Sequence, residues 1–297
     1  MKLNDILARD PFIVPYKGVY YMYRSNINDR YNLCEKARCW EYFKSKDLEN
    51  WEGPFTGFLP DEDFWGVKEF WAPEVHEYNG KFYLLGSTKG ETRHRGTAIY
   101  QADTPEGPFK MWSDGALTPE EWTSIDGTLY IDPNGTPYMV FVHEWWQVCD
   151  GEIQAIELSR DLKRAVSEPV LLFTAHQAEW VQKSICNKVP GIDYGYITDG
   201  PFLHHLSDGT LCMLWSSFSK TGYAESVAYS DSGSIFGPWR HPKEPIFAND
   251  GGHGMLFTDF SGKLRMVMHY PNTNEAHPIL FDAYEENGEL KICNRID

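Results

Sequence analysis

Apolar and polar residues alternate along this chain in short runs rich in β-branched and aromatic side chains, and helical periodicity is scarce. The runs are broken by Asn-Gly, Asp-Gly, Ser-Gly and Gly-Pro steps, which favour tight turns. The pattern predicts five hairpins of one design. "FIVPYKGVYYMY" turns at Lys17-Gly18 and "HEYNGKFYLLG" at Asn79-Gly80. "YIDPNGTPYMVFV" turns at Asn134-Gly135, "HHLSDGTLCMLW" at Asp208-Gly209 and "TDFSGKLRMVMH" at Ser261-Gly262.

Each hairpin has a short opening before its first strand: "RDPFIV", "WAPEVHEY", "IDGTLYI", "TDGPFLHH" and "GHGMLFTD". With Asp10, Trp71, Asp126, Asp199 and His253 as markers, the intervals are 61, 55, 73 and 54 residues, a period that reads as an internal repeat. A further β-like segment follows each hairpin: "RCWEYFKS", "GTAIYQAD", "GEIQAIELS", "AESVAYSD" and "HPILFDAY". Three of these precede Gly-Pro plus an aromatic, at 52–55, 106–109 and 236–239. Five repeats of at least three strands predict an all-β chain, a five-bladed β-propeller forming a single domain over 1–297. A two-sheet sandwich leaves the shared opening of every unit unexplained.

In a propeller the first strand of each blade lines the central axis, and all the first strands run the same way. Their openings therefore meet at one mouth, and the end of each second strand returns there. Asp10, Asp126 and Asp199 stand in three openings, His253 in a fourth, and Trp71 with Glu74 in the fifth. An Asp before Gly or Pro commonly caps a turn, and such a role can recur with the blades. Against that, carboxylates crowded into one mouth raise one another's pKa, which stability alone does not favour. Carboxyls with affinities for protons driven apart are what acid and base catalysis requires, and a pair flanking one bond is the arrangement for glycoside hydrolysis.

Composition narrows the partners. The 27 basic and 43 acidic residues leave a net charge of −16, which repels nucleic acid and anionic membranes. Aromatics make up 15% of the chain, and Trp71, Trp145 and Trp146 near the mouth suit flat, neutral sugar rings as well as ordinary packing. The expected partner is an oligosaccharide or polysaccharide. Six cysteines, with no C-x-x-C pair, indicate neither a zinc site nor a disulfide framework, and Cys212 reads as a reduced core residue. The text as written has no apolar signal region and no apolar run of membrane-spanning length. A cytoplasmic location is expected, or a secreted or periplasmic one if a leader has been removed.

Taken in order, "RDPFIV", "FWAPEVHEYNGKFYL", "SIDGTLYIDPNGTPYMVF", "ITDGPFL" and "GGHGMLF" resemble glycoside hydrolase family 43 over nearly the whole chain. The resemblance implies an inverting hydrolase of arabinose- or xylose-containing glycans, of α-L-arabinofuranosidase or β-xylosidase type. By position it implies Asp10 as general base, Asp126 as the residue that tunes and orients the acid, and Asp199 as the general acid. The family usually has Glu before Gly-Pro, so Asp199 reaches about one methylene less far. Glu144, in "VFVHEWW" at the end of a second strand, is the alternative proton donor, and Glu225 a weaker one. Trp71, Trp145, His253 and Arg265 are the candidate substrate contacts. No cofactor is required, although some members hold a Ca²⁺ or Na⁺ ion near the histidine that His253 matches. Two other readings are open. A retaining β-fructosidase would carry an "NDPNG"-like motif and a Glu-Cys pair, both missing here. A carbohydrate-binding propeller would follow if the short Asp199 cannot donate a proton.

Overall fold

The computed structural model describes residues 1–25, 38–189 and 192–296. Five antiparallel blade sheets and one two-stranded hairpin sheet follow one another along the described chain. Blade I comprises β1 (Arg9–Tyr16), β2 (Val19–Ser25), β3 (Trp40–Ser45) and β4 (Trp51–Phe58). Blade II comprises β5 (Lys68–Tyr78), β6 (Lys81–Lys89), β7 (Gly96–Ala102) and β8 (Lys110–Met111). Blade III comprises β9 (Ser124–Ile131), β10 (Pro137–His143), β11 (Glu152–Glu157) and β12 (Val170–Thr174). A hairpin of β13 (Ser184–Val189) and β14 (Ile192–Gly195) precedes blade IV. Blade IV has β15 (Asp199–His205), β16 (Leu211–Ser219) and β17 (Gly222–Ser230). Its outer edge is met by bridges Tyr229↔Arg240 and Glu225↔Phe247. Blade V comprises β18 (Gly252–Thr258), β19 (Leu264–Tyr270), β20 (His277–Glu286) and β21 (Glu289–Ile296). The fold is a five-bladed β-propeller.

The predicted hairpin turns fall where expected. Asn79 and Gly80 have φ of 50° and 74°, a geometry that Asn and Gly adopt at low cost. The middle strands are buried on both faces, β16 from Leu211 to Ser217 and β17 from Tyr223 to Ser230. A blade is covered front and back by its neighbours, so its inner strands read as continuous apolar runs rather than strict alternation. Outer strands such as β4 and β21 are largely exposed.

The apolar clusters are the seams between blades. Ile99, Met139 and Phe141 join blade II to III, Val142, Trp215 and Ala224 join III to IV, and Leu214, Leu256 and Met266 join IV to V. The largest cluster runs from Met255 and Val267 of blade V through blade I to Phe70 and Tyr100 of blade II. Each blade carries its own β-strands, so the ring closes by packing and by local hydrogen bonds. Ala8 N–H, just ahead of blade I, donates to the Ala276 carbonyl, just ahead of β20, at 2.8 Å. Cys39 and Cys212 are buried as core residues, whereas Cys149 and Cys293 are exposed. Cys34 lies outside the described residues.

Candidate active site

Near its mouth end, the first strand of every blade carries an extra residue, and that of blade II carries a second between Lys68↔Lys89 and Trp71↔Ser87. The partners Arg9↔Ser25 and Phe12↔Tyr23 bracket the shared one in blade I, and Trp71↔Ser87 and Glu74↔Leu85 in blade II. The same three-against-two step lies between Ile125↔Val142 and Thr128↔Val140, between Asp199↔Ser216 and Phe202↔Leu214, and between Gly252↔His269 and Met255↔Val267. Such β-bulges re-aim a side chain. The first residue inside each has a positive φ: Asp10 50°, Ala72 40°, Asp126 56°, Gly200 54° and His253 55°. These five are the equivalent positions. The expected ring is thus corrected at two markers, because Trp71 and Asp199 stand one residue upstream of it.

The backbone N–H of a bulge residue is buried and requires an acceptor. It finds one at the end of the second strand of the preceding blade. Ala72 donates to Ser25 Oγ at 2.6 Å, Asp126 to Ser87 Oγ at 3.0 Å and His253 to Ser216 Oγ at 2.7 Å. Asp10 donates to His269 Nδ1 at 3.3 Å. Blade III has Val142 in that place, and Gly200 N–H donates instead to the Asp126 carboxylate at 3.0 Å. The serines were not singled out from the sequence, yet the recurring "YRS", "LGS" and "LWS" at second-strand ends were a usable signal.

Three side chains converge on the axis. His253 Nδ1 lies 3.2 Å from Asp10 Oδ1 and 3.8 Å from Asp126 Oδ2. Ser25 Oγ also donates to Asp10. Burial pushes the Asp10 carboxyl up, but His253, the His269 contact and Arg9 outweigh it and hold Asp10 well below the usual carboxylate range. Burial, followed by the charge of Asp10, holds Asp126 well above it, and Glu144 and Glu74 add to the effect. The proton affinities of two neighbouring carboxyls are therefore driven in opposite directions. Gly200 is the bulge residue without a side chain because the His253 ring occupies the space, at 2.8 Å from where a Cβ would sit.

Asp199 is half-buried and close by. Its Oδ2 accepts the Tyr223 hydroxyl at 2.9 Å. Burial first, then the charges of both Asp199 and Asp10, raise the Tyr223 phenol, so this ring stands within the field of the two acids. Tyr223 also stacks on His269 at 5.5 Å between centroids.

The rim beside Asp126 is organised by Arg95, which is 2% exposed. Its Nε and Nη2 hold Glu144 Oε2 at 2.7 and 2.6 Å, and its Nη1 holds Glu69 Oε2 at 2.7 Å. The guanidinium lies 4.9 Å from the Trp71 ring and 4.7 Å from that of Trp146. Burial pushes the Glu144 carboxyl up while Arg95 pulls it back. Trp145, on the helical turn Trp145–Val148, meets Trp146 edge-on and lies over Gly195. Trp71, Glu144 and Trp145 thus gather at the rim, where Arg95 and Glu69 went unnoticed in the sequence.

Two candidates stand elsewhere. Glu225, 0% exposed, lies behind His253, and burial pushes its carboxyl up to about 7. Arg265 is not brought to the mouth. It is the second residue of β19, at the far end of blade V, and is ion-paired with Asp259 at 2.8 Å and with Asp282. The second strand reaches the mouth only at its end, so the topology itself removes Arg265 from the substrate contacts.

As to metal, His253 turns Nδ1 toward two carboxylates, and among the described residues no group of three or more His, Cys, Asp or Glu side chains is disposed to hold an ion.

The sequence profile described as "Glycosyl hydrolases family 43" matches residues 5–288. The chain belongs to this family. Its fold is similar to that of the endo-arabinase from Bacteroides thetaiotaomicron VPI-5482, at 39% identity and a TM-score of 0.89, over 97% of this chain and 98% of that one. An endo-1,4-beta-xylanase from the same organism is 25% identical with a TM-score of 0.76, over 98% and 96% of the two chains. Xylosidase/arabinosidase 43A of Humicola insolens is 27% identical over 174 residues, covering 54% of this chain and 50% of that protein. The family 43 chain therefore aligns with only half the length of that curated relative.

Proposed function

We propose that the protein is an inverting glycoside hydrolase acting on arabinose- or xylose-containing glycans. The observation that carries this reading is one imidazole, His253, set between Asp10 and Asp126, whose carboxyl pKa values are driven in opposite directions. The names of the related proteins support the substrate class. Ionised Asp10 takes a proton from a water as that water's oxygen bonds to the anomeric carbon. The glycosidic C–O bond breaks on the other side, and its oxygen leaves with a proton from the acid. Inversion calls for a base and acid about 6.5–9.5 Å apart. Asp199 is the better-supported acid, since Glu144 Oε2 is committed to Arg95 through two nitrogens. Asp126, its proton affinity raised and its carboxylate bonded to the blade IV bulge through Gly200 N–H, links the base to the segment that bears Asp199.

A second reading has its own observation. Asp199 is short and already engaged by the Tyr223 hydroxyl, which favours a propeller that binds glycans without cleaving them. Hydrolysis of aryl α-L-arabinofuranosides, aryl β-D-xylosides, and arabinan and xylan oligosaccharides separates the two readings. The hydrolase reading expects turnover, a first-formed product of inverted anomeric configuration by NMR, and loss of turnover in Asp10→Asn with binding retained. Binding of oligosaccharides without release of product favours the second reading, and a retained configuration rejects the inverting mechanism.

A further inference from the structure

Behind the axis, Glu225 touches no position open to a sugar. It is fully buried on β17, paired across the sheet with Ser216 of β16. Its Oε2 accepts two hydrogen bonds, from Ser216 Oγ at 2.6 Å and from Gly254 N–H at 2.9 Å. Ser216 Oγ in turn accepts the His253 N–H at 2.7 Å. One carboxyl oxygen therefore holds both N–H groups of the bulge, the second directly and the first through a hydroxyl.

Among blades II to V this support is particular to blade IV. In blade II the residue across from the ring serine is Thr97, whose hydroxyl meets Ser87 Oγ at 2.9 Å. Blade III has Ile153 opposite Val142, and blade V has Pro278 opposite His269. Only Glu225, among these, reaches past its serine to a second N–H of the next blade. A Cβ on Gly254 would lie 3.2 Å from Glu225 Cδ, so the carboxyl is packed against the bulge as well as bonded to it. Its Oε1 is buried with no hydrogen-bond partner, a placement that an apolar side chain of similar size would occupy with less desolvation cost. What an apolar residue cannot supply is the double acceptor beneath His253. That histidine holds a left-handed φ, unfavourable for a non-glycine residue unless its surroundings enforce it.

We propose that Glu225 is a positioning residue for the Asp10–Asp126 pair, fixing the bulge from which His253 reaches both carboxyls. The proposal rests on the reading of that pair as the hydrolytic centre. Glu225 acts through the backbone of His253 and Gly254, so its loss misplaces the imidazole without touching the substrate. A misplacement of this kind far from the reacting atoms costs turnover rather than affinity.

Glu225→Gln and Glu225→Leu test it. The glutamine carbonyl still accepts both bonds, whereas leucine accepts neither. Expected in Glu225→Leu is a fall in kcat of about 100-fold with KM within about threefold, and in Glu225→Gln a recovery of kcat to within about threefold of the unsubstituted enzyme. The ring signals of His253 in ¹H–¹⁵N NMR should move in the leucine variant and stay in the glutamine variant. Ser216→Ala, which removes only the intervening hydroxyl, should also move the ring and lower kcat, and it serves if the leucine variant does not fold. Unmoved ring signals in both Ser216→Ala and Glu225→Leu overturn the proposal, as does a glutamine variant no better than leucine. Should the protein hydrolyse none of the glycosides tested, the proposed function fails, and the NMR comparison still decides whether Glu225 places His253.

Discussion

The peptide N–H of Asp10 points at Nδ1 of His269, 3.3 Å away across the seam where the last blade meets the first. Elsewhere a serine or an aspartate fills that role, so blade V alone closes its step of the ring with an imidazole. His269 Nε2 then faces Asn272 Oδ1 at 3.3 Å, and Arg9 donates to the same oxygen. The proposed base is thereby anchored by its backbone, while its carboxylate meets His253, Ser25 and, at 3.4 Å, the same His269 nitrogen.

That ring gives the fold an acid sensitivity. Burial, with Arg9 next in effect, lowers His269 from 6.5 to about 4. Its contribution to stability is therefore present above about pH 6.5 and lost as pH falls toward 4, when the unfolded chain binds the proton first. Over the full window the effect is on the order of 3 kcal/mol. His269→Gln keeps an acceptor for the Asp10 N–H and cannot titrate. The stability gap between the unsubstituted protein and this variant should shrink from pH 6.5 to 4 in chemical denaturation, and a gap constant with pH rejects the account.

Gly200→Ala should disturb the site directly. The new Cβ would sit 2.8 Å from the His253 ring, at a φ of 54° that alanine disfavours. A loss of about 1–3 kcal/mol is expected from crowding and backbone strain together. Equilibrium unfolding measures the loss, and glycoside turnover should fall with it.

Arg95 holds two acids at the rim. In Arg95→Met, Glu144 is left buried without its cation, at a cost of about 3–5 kcal/mol. The cost should be smaller at pH 5 than at pH 7, because the orphaned carboxyls can then take up protons. Arg95→Lys should recover only part of it, since one ammonium cannot reproduce the fork that spans Glu69 and Glu144.

Arg265→Ala should separate structure from substrate binding. Burial raises Asp259 while its bonds from Ser261 and Arg265 prevail and hold it at about 2. Removing Arg265 should cost about 1–3 kcal/mol and leave KM unchanged. A rise in KM without loss of stability would return Arg265 to the substrate contacts.

Local chemistry accounts for what could be read in advance. Turns at Asn79-Gly80 or Asp208-Gly209 depend on residues that tolerate positive φ, and β-branched and aromatic runs between them form strands whatever their neighbours. Five repeats of that text were enough for the propeller, and the topology then brought Asp10, Asp126 and His253 to one mouth. The same text could not show which residue enters each bulge. Asp126-Gly127 and Asp199-Gly200 are identical dipeptides, yet the bulge takes the aspartate of the first and the glycine of the second. Pairing register decides between them, and register is set by strands on the far side of a turn.

Contacts between blades lay further out of reach. Arg95 and Glu144 are 49 residues apart, and Asp126 and Gly200 are 74 apart. Nothing in their immediate neighbours prefers those partners. The hairpins, the repeat and the acidic openings were determined by the chain's own order, because each depends on a few consecutive residues. The protonation states of the acids, the burial of Glu225 and the removal of Arg265 from the mouth were decided by tertiary structure, because desolvation and charge act through space between blades that only the closed ring brings together.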